Sequence, residues 1–196
     1  MNKTIYKVHN DHIDFSGYLF ECSSVSIIKE LRVNEIVEVT HDFFAPPAIR
    51  TVNGELIFVP FDKESGEHKK LPDFYVKNHI PVRDVTDIWE MILDPFLDTE
   101  HSDAYIAGSY ATLEKYGVSR KECENLRLEV ASRMVAYNFT SCLWEWVHLG
   151  LYDVLCASLG LLSGDRYRLS NEEFKGFYWR AMEIALRGFR GAEQEI

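Results

Sequence analysis

Residues 48–60 read Ala48-Ile49-Arg50-Thr51-Val52-Asn53-Gly54-Glu55-Leu56-Ile57-Phe58-Val59-Pro60. Two runs rich in β-branched and apolar residues flank Asn53-Gly54, and Asn-Gly supplies the positive φ angles that a type I′ turn requires. The spacing predicts a hairpin and, with it, an antiparallel sheet in the first part of the chain. Upstream, Glu35-Ile36-Val37-Glu38-Val39-Thr40 is a second β-branched run, and Phe43-Phe44-Ala45-Pro46-Pro47 closes it. Proline removes ladder donors, so the latter is read as a loop or strand end. Downstream, residues 62–70 form a charged turn between strands, and Asp73-Phe74-Tyr75-Val76-Lys77 is read as a further strand.

From Pro81 onward the pattern turns helical. Asp84 or Thr86 can cap a helix through Leu93 that Pro95 ends, and Ser102 or Asp103 can cap another running to about Tyr116 before Gly117. Ser119 with Glu122 and Ser170 with Glu173 fit the S-x-x-E capping box. The first box opens a long helix to about His148, continued after Gly150 by a shorter one to Leu159. The second opens a C-terminal helix with an apolar face of Phe174, Phe177, Tyr178, Ala181, Met182, Ala185 and Phe189. Arg180, Glu183 and Arg187 are spaced for ion pairs along that helix. Strands followed by helices predict an α+β fold: an antiparallel-rich N-terminal sheet and a C-terminal helical layer or bundle packed on it. Residues 1–196 are read as one domain, β-rich over 1–80 and α-rich over 81–196, with residues 78–83 as the place where a split would fall.

The chain carries 31 acidic side chains against 21 Lys and Arg, a formal charge of -10. Such a field repels phosphate backbones and anionic lipid, which argues against nucleic-acid binding. Residues 142–162 are long enough to span a membrane. Their Leu and Val contribute about -4.5 kcal/mol, however, whereas Glu145 and Asp153 cost roughly 2.5–3.5 kcal/mol each, so the acids prevail and the stretch is read as core. Cys22, Cys123, Cys142 and Cys156 lack C-x-x-C spacing and are read as reduced thiols of a cytoplasmic protein. The start has no apolar run after its lysines, so no secretory signal is expected.

Two clusters could carry chemistry. Within residues 134–149, Asn138, Ser141, Glu145 and His148 interrupt an otherwise apolar run at spacings of 3, 4 and 3, which a continuous helix would align as one polar stripe extended by Tyr152. Glu145 and His148 form an E-x-x-H pair, the ligand spacing of di-iron carboxylate bundles, although the chain has only one such motif. The stripe is a self-satisfied polar seam, a ligand pocket or a divalent-metal site. The second cluster is Asp94, Asp98, Glu100, His101 and Asp103, part of residues 84–114, where eight acids occur without a Lys or Arg. It is a solvated turn, a docking surface for a basic protein, or a cation site that includes His101. His9 and His12 could also share a metal, but lying near a terminus they are expected to be exposed.

The chain has no G-x-S-x-G elbow, no H-E-x-x-H and no phosphate-binding glycine loop. Two functional expectations follow. The first is a small acidic binding protein occupying a basic partner protein, the charge logic of inhibitors and immunity-type proteins. The second is a metal-assisted hydrolase or oxidase using Glu145 and His148. A wide apolar face on the last helix, with Trp179, Ile184 and Leu186 outside its main stripe, points to contact on two sides, either a homo-oligomer interface or a central core position.

Overall fold

The computed structural model describes residues 3–40, 46–61, 64–97, 101–141 and 148–192. It resolves into two compact units, Met1–Asp84 and Val85–Ile196. Strands dominate the first and helices form the second, the α+β arrangement expected.

In the first unit, β1 (Ile5–Val8), β2 (His12–Gly17) and β3 (Glu30–Arg32) form an antiparallel sheet, with a short helix α1 (Ser24–Ile28) between β2 and β3. The period of two is visible in burial: Tyr6, Val8, Ile13 and Phe15 enter the core, while Lys7, His12 and Asp14 face the other way. His9 and His12, expected to be exposed, are half-buried. A second sheet has the order β6 (Leu56–Phe58), β5 (Ala48–Thr51), β4 (Ile36–Thr40), β7 (Val82–Arg83), with only β7 parallel to its neighbour. The predicted hairpin is β5–β6, in register Ala48 to Phe58 and Ile49 to Ile57. Its turn differs from expectation. Gly54 alone takes a positive φ, 75°, and donates its N–H to Thr51 O at 3.0 Å, so the loop is a three-residue turn ending in a left-handed glycine rather than type I′.

Buried acids in this unit are paired. Glu38 sits between Arg50 and Arg83, and Glu55 accepts from the backbone N–H and hydroxyl of Ser24. Pairing of this kind is what permits a carboxylate to be buried at all. The core joins Phe15, Tyr18, Phe20 and Phe58 edge to face, and Tyr18 Oη accepts from Phe58 N at 2.8 Å.

Two local readings are corrected. Residues 73–77 belong to helix α2 (Leu71–Lys77), not to a strand. Pro72 sits in its first turn, where a missing N–H costs nothing, and Leu71, Phe74 and Tyr75 are buried at helical spacing. Consequently the charged segment before it joins a strand to a helix, not two strands, and Glu67–Lys70 forms a 3-10 turn leading into α2. Phe43, Phe44 and Ala45 lie outside the described residues, and Pro46 and Pro47 precede β5 without joining it.

In the second unit, α3 (Ile88–Leu93) is capped by Asp87 rather than by Asp84 or Thr86, and Pro95 ends it in a 3-10 turn, Asp94–Phe96. Ser102 caps α4 (Asp103–Lys115), and Ser119 Oγ accepts from Glu122 N at the start of α5 (Arg120–Ser141). After α6 (Leu151–Ser158), the Ser170–Glu173 capping box opens α7 (Asn171–Ala185) with both reciprocal bonds present, and α8 (Arg187–Ala192) follows. The predicted C-terminal helix is split after Ala185: its apolar face from Phe174 to Ala185 is buried on α7, as is Ile184, Phe189 is buried on α8, and Trp179 is 38% exposed. At the centre, Trp89 donates its indole N–H to Ala181 O at 3.0 Å and packs on Phe177.

Two further expectations change here. The described part of the long helix ends at Ser141, and His148 lies in non-helical chain ahead of α6. Arg180 on α7 and Arg187 on α8 reach across to α5 instead of pairing along one helix: Arg187 holds Glu122 bidentately at 2.9 and 3.0 Å, and Arg180 holds Glu129. Cys123 and Cys156 are buried thiols, and burial pushes Cys156 up to about 12, so both serve as small apolar residues. Among the described residues, no helix is long and apolar enough to cross a membrane.

Candidate functional site

The polar side chains of the helical unit gather along one face of α3. Asp87, Glu90 and Asp94 recur at spacings of three and four, so they project to the same side, and two histidines meet them from elsewhere in the unit. His148 Nδ1 lies 2.9 Å from Glu90 Oε1, and its Nε2 is 4.0 Å from Asp87 Oδ2. His101 Nε2 lies 3.3 Å from Asp94 Oδ1, and its ring stacks on Tyr105 at 4.4 Å.

Asp87 closes two helices at once. Its Oδ1 accepts from Trp89 N at 2.9 Å, capping α3, and its Oδ2 accepts from Leu151 N at 3.1 Å, at the first residue of α6. Gly150 makes this junction possible: a Cβ there would stand 2.3 Å from Asp87 Oδ2. Asp153 completes it, accepting from Gly150 N and from Tyr137 Oη, both at 2.9 Å. Burial pushes Asp87 up to about 6, although the two backbone donors and His148 oppose the rise. Burial likewise raises Asp153, against the pull of Gly150 N–H, Tyr137 and His148.

The residues expected to form a site are therefore divided. Asn138 is buried and donates to Phe96 O at 2.7 Å, bracing the 3-10 turn after α3. It does not share a helix with His148, which corrects the single-stripe reading. Ser141 is the last described residue of α5, Tyr152 is half-buried on α6 against Cys156, and Glu145, Asp98 and Glu100 lie outside the described residues. Asp94 turns to His101, whereas Asp103 is exposed in the first turn of α4.

As a metal centre, the expected set of His148 and His101 is split between two acid partners. The two nitrogens of His148 also face different carboxylates, and an imidazole offers an ion only one nitrogen. The arrangement fits a hydrogen-bonded clamp better than an ion cage. Sequence reasoning missed Asp87, Glu90, Tyr137 and Asp153 as members. A signal existed for the first two: Asp87-Ile88-Trp89-Glu90 has the spacing of a capping box.

Beside the clamp, the surface is unusual. Of the thirteen residues of α4 only Leu113 is buried, and Tyr105 and Ile106 are 51% and 42% exposed. On α5, Leu128, Val135 and Phe139 are exposed at spacings of seven and four, a stripe along one helix face with Phe139 83% exposed. In the sheet unit, a hollow of about 320 Å³ walled by Leu71, Tyr75, Val76, Ile80 and Val82 is apolar and gathers none of the predicted site residues. No family model, characterised protein or solved structure matches this chain.

Proposed function

We propose that the protein is a small acidic binding protein that occupies a basic partner protein. The observation that carries this reading is α4, a helix that buries one residue and offers an aromatic and an aliphatic side chain within residues 84–114, which hold no Lys or Arg. Protein interfaces concentrate their affinity in a few such anchors, Tyr among them, while surrounding charge sets partner choice and approach rate. Asp103 and Glu114 on α4 are exposed to supply that charge. The clamp of Asp87, Glu90 and His148 fixes α3 and α6 and leaves the docking face to α4.

The test is capture on immobilised protein, compared with a Tyr105→Ser/Ile106→Ser variant of unchanged melting temperature. The reading expects a basic partner whose retention falls with salt and is lost in the variant. Retention of partners without basic character, or equal retention by the variant, refutes it, and self-association of the purified chain through the α5 stripe would assign that stripe to a second copy. A metal-assisted hydrolase or oxidase is a second reading, favoured by an imidazole held between two carboxylates, one poised near pH 6 and so competent in proton transfer. Stoichiometric metal that disappears in His148→Ala would favour it over docking.

A further inference from the structure

The turn between β1 and β2 carries a second chemistry, independent of the docking reading. Asn10 and Asp11 form the tip, and His9 and His12 stand opposite each other at its base, joined by His9 N to His12 O at 3.0 Å. Asp14 follows His12 by two residues on a strand, so it projects to the same side. That side faces away from Val8, Ile13 and Phe15, which are in the core.

The three side chains converge. His9 Nε2 lies 2.9 Å from Asp14 Oδ2, and His12 Nε2 lies 3.5 Å from Asp14 Oδ1. The two rings are stacked at 4.4 Å and only 8° from parallel. One ligand atom from each residue falls within 4.8 Å of the other two, the one such group of His, Cys, Asp and Glu among the described residues. Two donors each about 2.05 Å from a tetrahedral zinc ion are about 3.3 Å apart, and the approaches of the two imidazoles to the two Asp14 oxygens, 2.9 and 3.5 Å, lie on either side of that length. His9 Nε2 is shielded from solvent and is not aligned for a hydrogen bond, despite its closeness to the carboxylate.

A supporting partner is also in place. His12 Nδ1 lies 2.8 Å from Asp11 Oδ1, and because a carboxylate only accepts, the neutral ring carries its proton on Nδ1 and its lone pair on Nε2, facing Asp14. Ligating histidines regularly have such a carboxylate behind them, which orients the ring and raises its basicity. We infer that His9, His12 and Asp14 form a binding site for a divalent transition metal, held by the two imidazoles and the Asp14 carboxylate, with Asp11 positioning His12. Two imidazoles and one carboxylate suit zinc and its neighbours and leave coordination positions for water or an external ligand.

Untagged full-length protein, stripped with chelator, tests this by calorimetric titration with zinc chloride and by the visible spectrum of the cobalt(II) form. The expected result is one zinc per chain, and a cobalt band that His9→Ala and His12→Ala each abolish while the far-UV spectrum stays that of the wild type. Asp11→Asn should weaken zinc by about tenfold to a hundredfold. His148→Ala should leave zinc binding unchanged, which separates this site from any metal at the α3 clamp. Absence of zinc uptake and of a cobalt band in the wild type, or uptake that survives the His9→Ala/His12→Ala double variant, overturns the inference. If an alanine variant loses its fold, His9→Gln and His12→Gln carry the same expectation.

Discussion

Replacing Asp87 by asparagine removes a carboxylate that burial holds at about 6, against 3.8 in the unfolded chain. Because the native state binds this proton more tightly, its contribution to stability is complete below the unfolded value and is lost as pH rises through the native one. The full difference corresponds to about 3 kcal/mol, of which about 2 kcal/mol lies between pH 4.5 and 7.5. Asparagine does not titrate, so the stability of Asp87→Asn relative to wild type should improve by about 2 kcal/mol over that interval. Its value at any single pH also contains the loss of one acceptor, since Oδ1 and Oδ2 serve Trp89 N and Leu151 N and an amide keeps only one oxygen. Glu90, His148 and Asp153 face the same cluster and are present in both proteins, so the difference between the two profiles is the diagnostic quantity. Urea unfolding at half-unit pH steps supplies it. Parallel profiles, or a variant that loses ground as pH rises, would refute the burial of this charge.

Gly188→Ala should destabilise by about 2 kcal/mol or more in chemical denaturation, because the new Cβ would lie 2.1 Å from the Thr86 carbonyl oxygen and backbone cannot yield cheaply. Glu38→Ala should cost about 1.5–3 kcal/mol by removing the buried acceptor that Arg50 and Arg83 share, both guanidiniums keeping contact with solvent, and Glu38→Gln should cost less. Ser170→Ala should cost about 1 kcal/mol through loss of the α7 cap. Duplex DNA should not shift in a gel at about 150 mM salt, since the net charge of -10 opposes counterion release, and micromolar binding there would contradict the charge argument.

Local chemistry made much of this fold readable. The β5–β6 hairpin and the α4, α5 and α7 starts follow from Asn53-Gly54, Ser102, Ser119 and Ser170, whose side chains or backbone act on residues two to four positions away. The segment at Phe74-Tyr75-Val76 misled because those residues favour strands locally, while the burial of Leu71, Phe74 and Tyr75 on one face decides for helix. The candidate site was less legible. Residues 134–149 are apolar nearly all round, so their sequence gives no phase from which to see that His148 leaves the helix. Its partners, Glu90 and Asp87, are more than fifty positions away, and a contact made by tertiary packing leaves no spacing to read. The hairpin histidines are the reverse case, since His9, His12 and Asp14 are local in sequence and their convergence depends only on a two-residue tip.

The docking claim is tested most directly by the association rate of the captured basic partner, followed by stopped flow from low to high sodium chloride. An acidic face that steers a basic partner predicts a rate that falls steeply with salt, a dissociation rate that changes little, and a slower association for Asp103→Asn at low salt. An association rate that is flat across the salt series and unchanged in Asp103→Asn would contradict it.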